Sequence, residues 1–205
     1  MQTGFWLIRH AVVAENERAR LYGVRDVPLC PQSLVAQVGQ YRALAARLPR
    51  PAHWACTPLS RTRRTAEAIG AAGYPLPEME VVPGLIEQDL GEYQGLVHAE
   101  LPGRLTLPAH PFWPLGAEER PPRGESFAGV LARVGDTMDT LARAHAGREV
   151  IAVSHGGAIR AAVAHAMGVD ARAALHLSVQ NLSLTRLVRH PEGWQVGCVN
   201  ELVGV

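Results

Sequence analysis

The chain has no lysine: the 20 basic residues that face 19 acidic ones, in a chain of 205 residues, are all arginine. This excludes a Schiff-base lysine, a pyridoxal-phosphate lysine and a lysine-bearing phosphate loop. Any phosphate bound here is held by arginine, histidine, backbone N–H groups or a metal. Aromatic residues are scarce, at 5%. Cysteine is scarcer still. Cys30, Cys56 and Cys198 are widely spaced and odd in number, which gives no metal-ligand pair and no disulfide framework and predicts a reducing, cytoplasmic setting. Charge of one sign is also missing. The formal net charge is +1, far from the basic footprint of a nucleic-acid binder. No apolar run approaches the ~18 residues of a membrane span. The run before Arg9 is also too short for the apolar core of a secretory signal.

What is present alternates between two periods. Phe5 to Ile8 predicts a short buried strand, and residues 11–30 a long loop. Leu34, Val38, Tyr41, Leu44 and Leu48 predict a helix over 32–48, stopped by Pro49 and Pro51. His53 to Cys56 is a second strand. Thr57 then predicts an N-cap, with Pro58 at the first helical position and a helix to Ile69. Glu80 to Val82 is a third strand. Residues 96–123, rich in proline, predict an insertion over the body whose Phe112 and Trp113 pack inward. A long amphipathic helix follows over 124–146, then a buried strand at Val150 to Val153, a helix to Met167, and a closing pair of strands at 182–188 and 194–202. Strands alternating with helices predict one α/β domain over 1–205, a three-layer α/β/α sandwich with a mostly parallel sheet.

In such sheets ligands bind beyond the carboxyl ends of the strands. The first strand ends in Arg9-His10, the second leads to Arg61, and the last parallel strand ends in Ser154-His155-Gly156-Gly157. Arg61, in about the fourth helical position, opposes the macrodipole unless an anion sits at that helix end. Gly156-Gly157 opens a helix whose free amides suit an anion. Two arginines, two histidines and helix amides suit a phosphate group. One histidine can attack phosphorus while the other stabilises the developing charge. The leaving group then needs a proton from an acid, worth roughly 10²–10⁴-fold. Glu87, in a glycine-bounded loop, is the first candidate, with Asp89 and Glu92 as rivals. His53, His145, His165 and His176 are expected to be structural or solvated; His98 and His110, in the insertion, take the same reading, with substrate contact as the lesser alternative.

These residues match a known pattern. Arg9-His10-Ala11 with Asn16, Thr57-Pro58-Leu59-Ser60-Arg61-Thr62, Glu87 followed by Gly91 and Gly95, Gly124-Glu125-Ser126, and Val153-Ser154-His155-Gly156-Gly157 resemble, in this order, the histidine phosphatase superfamily in its phosphoglycerate-mutase-like branch. The resemblance spans nearly the whole chain. It implies His10 as the phosphorylated nucleophile, Arg9, Arg61 and His155 as the phosphate pocket, and Glu87 as the proton donor. Asn16 is implied as a further phosphate contact, Gly156 as a substrate contact, and Tyr22, Gly23 and Asp26 as the mouth. It implies no cofactor and no metal. Ala11 stands where the family usually has glycine, Val12-Val13 where it has Glu-Thr, and Cys30-Pro31 where a Thr or Ser and a Gly are usual.

The short length, the modest insertion and the Cys198–Val205 ending are similar to small phosphatases of the alpha-ribazole phosphatase type, which act in cobalamin assembly. The implied partner is a small phosphorylated metabolite, with no nucleic acid and no membrane, and a dimer is left open. A mutase and a catalytically silent phosphate-ligand or protein-binding module are the alternatives.

Overall fold

Six strands form one sheet in the computed structural model, which describes residues 1–204: β1 (Thr3–Arg9), β2 (His53–Cys56), β3 (Glu80–Val81), β4 (Glu149–Ser154), β5 (Leu184–His190) and β6 (Gly193–Glu201). Val205, the last residue of the ending compared above, lies outside the described residues. The order across the sheet is β3-β2-β4-β1-β5-β6. β1 to β4 run parallel, and β5 and β6 close the sheet antiparallel. The helices are α1 (Glu15–Arg18), α2 (Pro31–Ala36), α3 (Val38–Arg47), α4 (Ser60–Ala71), α5 (Phe127–Ala144), α6 (Gly156–Met167) and α7 (Ala171–Ala174).

The period-2 alternation of β1 explains the layers. Phe5 and Leu7 pack with residues of α5, α6 and α7 on one face. Trp6 and Ile8 pack with α3 and α4 on the other. The result is the expected mostly parallel α/β sandwich. Its register positions the chemistry: Arg9 pairs with Ser154, so His10 and His155 leave adjacent strands side by side. Cys56 pairs with Val153, which brings Thr57 to the same edge.

Two helix boundaries and the packing of one aromatic differ from expectation. The helix expected over 32–48 is broken at Gln37, where φ is −95° and ψ 15°. Val35 and Val38 are exposed, so the apolar spacing that implied one helix is only partly a buried face. The helix expected from Pro58 starts at Ser60, because Asp26 Oδ1 accepts from the Ser60 amide and hydroxyl, both at 2.8 Å, and serves as the cap from a distant loop. Arg61 is therefore the second helical residue, still inside the first turn. Phe112, expected to pack inward, is 66% exposed and stands edge-on to His110 and His176. The rest of the insertion is anchored. Leu101, Leu115 and Trp113 pack with Leu21, Leu90 and Tyr93. The buried Glu119 accepts from the Thr106 amide at 3.0 Å, the Thr106 hydroxyl at 2.9 Å and the Leu107 amide at 2.8 Å.

Candidate active site

His10 is buried at the end of β1, and its Nδ1 lies 2.7 Å from the Ala11 carbonyl. A carbonyl only accepts, so Nδ1 carries the proton and Nε2 keeps its lone pair. Burial first, then the charges of Arg61 and Arg9, hold His10 well below the ordinary 6.5, against the opposing pull of the Ala11 bond. The ring is therefore neutral at neutral pH. Ala11, in place of the usual glycine, fits without strain: its φ is not positive, and its amide donates to Thr65 Oγ1 at 2.9 Å.

His155 stands 5.2 Å from His10 between ring centroids, at 60°. Its Nε2 is 2.9 Å from the Thr57 hydroxyl. The Thr57 hydroxyl also lies 3.1 Å from that of Thr62. The other ring nitrogen of His155, Nδ1, is buried and has no partner. Burial, then Arg61, His10 and Arg9, hold this ring well below 6.5 too. Thr57, expected as a helix cap, is instead the residue that orients His155.

Arg61 is wholly buried. It donates from Nη1 to the Arg25 carbonyl and from Nη2 to the Gly23 carbonyl, both at 2.7 Å, and lies over the Tyr22 ring at 5.2 Å. Its Nε has no partner, and neither does Arg9 Nε. Burial lowers the Arg61 guanidinium, while the carboxylates of Glu87 and Asp26 oppose that shift.

Glu87 bridges two elements. Its Oε1 accepts from the Gln88 amide at 2.9 Å and its Oε2 from the Gly157 amide, at the start of α6, at 3.1 Å. A Cβ on Gly157 would stand 2.2 Å from Glu87 Oε1 and would push that carboxylate aside, whereas one on Gly156 would press only lightly on Arg9 Nε, at 3.3 Å. Of the rival acids, Asp89 is bonded to the Gly91 amide and Glu92 is paired with Arg123. A cavity of about 210 Å³ opens at this edge. Arg9, Glu87 and Gly156 line it together with Tyr22, Gly23, Leu90, Trp113 and Leu115, and Arg18, Arg20 and His98 add polar side chains. Asn16 is not brought in: it is exposed on α1, and its amide donates to Glu17 at 3.2 Å. His110 is buried against His176 and does not line this cavity.

The sequence reading did not find Asn181. Its Nδ2 donates to the His10 carbonyl at 2.8 Å and to the Ala11 carbonyl at 3.3 Å, which fixes the strand end that carries His10. The next residue, Leu182, has φ of 60°. That strained conformation costs about 1–3 kcal/mol and is tolerated at a position that aims a functional group. Among the described residues one group has metal-ligating spacing: His53, Glu80 and His145, at the opposite edge of the sheet. Its two rings are stacked at 4.0 Å and 24°, so their in-plane lone pairs do not converge on one ion unless the stack opens.

Comparison with known proteins agrees with this geometry. The model of the histidine phosphatase superfamily (branch 1) matches residues 5–202. The "Bifunctional protein Rv2228c" of Mycobacterium tuberculosis is 32% identical over 145 residues, 71% of this chain. The match covers 39% of that protein, so the chain spans well under half the length of the curated relatives it matches. Among solved structures, mycobacterial glucosyl-3-phosphoglycerate phosphatase is 26% identical, with a TM-score of 0.80 over 98% of this chain and 100% of that one. The alpha-ribazole phosphatase of Shigella flexneri shares the fold, at 20% identity and a TM-score of 0.79 over 98% and 97% of the two chains. With its paired histidines on adjacent strand ends and a family match along almost its whole length, the chain belongs to the histidine phosphatase superfamily, branch 1.

Proposed function

We propose that the chain is a metal-independent phosphomonoesterase that passes a phosphoryl group through Nε2 of His10. The observation that carries this is the Nδ1 bond to the Ala11 carbonyl, which leaves a neutral nucleophilic nitrogen among two arginines and a second histidine. A dianionic phosphoryl group is drawn to Arg9, Arg61 and His155. It competes with the Gly23 and Arg25 carbonyls for Arg61, and a bond in which donor and acceptor are both charged is the stronger of the two.

The His10 Nε2 lone pair attacks phosphorus, and the bond from phosphorus to the ester oxygen breaks. Glu87, a carboxylate in the free site, takes a proton from solvent as the ester binds and passes it to the leaving oxygen. Water then attacks the phosphohistidine, Glu87 takes its proton, the P–N bond breaks, and inorganic phosphate leaves with His10 neutral again. His155 and the arginines hold the equatorial oxygens throughout.

The small cavity, with an apolar wall and a phosphate end, suits a small phosphorylated metabolite in place of a nucleic acid or a membrane. Alpha-ribazole 5′-phosphate, and with it cobalamin assembly, is the candidate substrate from the sequence resemblance. A mutase is the second reading, favoured by Arg18, Arg20 and His98 at the cavity, which suit a substrate with a second anionic group. Among the described residues no helix is long and apolar enough to cross a membrane, and the cysteines are free. Both fit the proposal of cytoplasmic work. The test is turnover of a panel containing p-nitrophenyl phosphate, alpha-ribazole 5′-phosphate, 3-phosphoglycerate, sugar phosphates and nucleotides. Release of inorganic phosphate with chelator present supports the reading. Phosphoryl transfer to a second hydroxyl replaces it with a mutase, and no reaction with any ester overturns it.

A further inference from the structure

Arg160 lies in the second turn of α6 and is absent from the family motifs matched above. It is 8% exposed. Its Nε donates to the Leu177 carbonyl at 2.7 Å, and its guanidinium stacks at 4.6 Å from the Trp113 ring centroid. It forms no ion pair among the described residues. Its Nη1 is buried with no hydrogen-bond partner, as are Arg9 Nε and Trp113 Nε1.

The two guanidinium donors sit around one place, and Trp113 lies against one of them. Arg160 Nη1 is 3.1 Å, and Arg9 Nε 3.3 Å, from the point where a Cβ on Gly156 would stand. Gly156, Arg9 and Trp113 all line the cavity. Two buried guanidinium groups side by side repel each other, and each buried donor without an acceptor is costly. Such an arrangement is stable in a site made to receive acceptor oxygens. Burial lowers the Arg160 guanidinium to about 10, Glu87 working against that shift and Arg9 adding to it, so the group stays charged at neutral pH.

We propose that Arg160 is a substrate-positioning residue: it adds a third guanidinium charge behind the phosphate end and holds Trp113 as the wall against which the leaving group packs. The inference rests on the phosphatase reading and extends it to the choice of ester. The charge acts on the phosphoryl group; the flat stack acts on the leaving group through Trp113. A residue that merely ties α6 to the Leu177 carbonyl performs neither task.

The two tasks separate by substitution. Inorganic phosphate binding is measured by calorimetry, and KM for an aryl and an alkyl phosphate by kinetics, in the full chain and in R160M, R160K and W113L, with thermal melting as the fold control. R160M is expected to weaken phosphate binding about tenfold or more and to lose the KM preference for the aryl ester. R160K keeps the charge without the planar stack, so phosphate binding stays within about threefold while the aryl preference is lost. W113L behaves like R160K. If R160M does not fold, R160K and W113L still decide the matter. Phosphate affinity and KM ratios equal to wild type in the folded variants, with only the melting temperature changed, overturn the proposal. Phosphate binding that depends on Arg160 in a protein that hydrolyses no ester would instead break the phosphatase reading and leave the charge role standing.

Discussion

At the carboxyl ends of the parallel strands the fold gathers His10, His155 and Glu87; at the amino ends it gathers His53, His145 and Glu80. The residue types are the same, and the surroundings make them different objects. At the first edge both rings are buried, stand apart at 60°, and are neighboured by Arg9 and Arg61. Glu87 bonds to backbone amides, not to either ring. At the second edge the rings are stacked. Glu80 Oε2 lies 2.7 Å from His53 Nε2 and 3.7 Å from His145 Nε2, so a carboxylate already answers the histidines. Two histidines and a glutamate thus define no chemistry by themselves. Cations around a neutral ring make a place for an anion, whereas a carboxylate between two rings closes the cluster on itself.

The largest expected contrast is between the first histidines of the two groups. His10→Ala should lower turnover of p-nitrophenyl phosphate by roughly 10³-fold or more, because it removes the proposed nucleophile, while His53→Ala stays within about twofold, since no reacting atom of the proposed mechanism depends on it. Comparable losses in both variants would erase the distinction. Thr57→Val should come next. It leaves His155 Nε2 buried without its hydroxyl partner, a loss of about 1–3 kcal/mol, so the melting temperature should drop by several degrees and kcat/KM should fall roughly tenfold or more.

The pH response sharpens the comparison further. His10 and His155 are held below 6.5 in the folded chain, so the unfolded chain binds more protons once pH drops past that value. Stability is full above 6.5 and falls as pH moves from there toward the folded-state values. Melting at pH 7.5 and pH 5 should show this loss, and a His10→Asn, His155→Asn double variant should reduce it, leaving the part due to His110 and His145, which burial also holds below 6.5. For the same reason the acid limb of kcat/KM should lie below 6.5; a limb at or above it would mean that the rings are not neutral. The smallest effect is Glu80→Gln: this half-exposed contact should be worth only about 0–1 kcal/mol in denaturant unfolding, with turnover unchanged.

Much of the first edge was legible in the chain because it is local. Phe5 to Ile8 and Val150 to Val153 are short apolar runs whose next residues fall at the sheet edge, so His10 and His155 follow from counting. What was not legible depends on contacts distant in sequence. Asn181 reaches the His10 carbonyl from 171 positions away, and no local pattern marks it. Thr57 has the chemistry of a cap, but His155, 98 residues on, takes its hydroxyl, and Asp26 caps the helix in its place. Arg160 is hidden in an ordinary helical run, and it shows only in the fold, through its burial and its unpartnered Nη1. Asn16 matches a family motif by position, yet its side chain turns to Glu17 on an exposed helix.

The central claim is that His10 Nε2 carries the phosphoryl group. The most direct measurement is to quench the protein during turnover of a phosphate monoester at alkaline pH and map the bound phosphate by mass spectrometry and phosphorus NMR. A single acid-labile phosphate on Nε2 of His10, absent from His10→Ala, is the expected result. Turnover with the phosphate on another residue, or with none trapped while His10→Ala remains active, would contradict it.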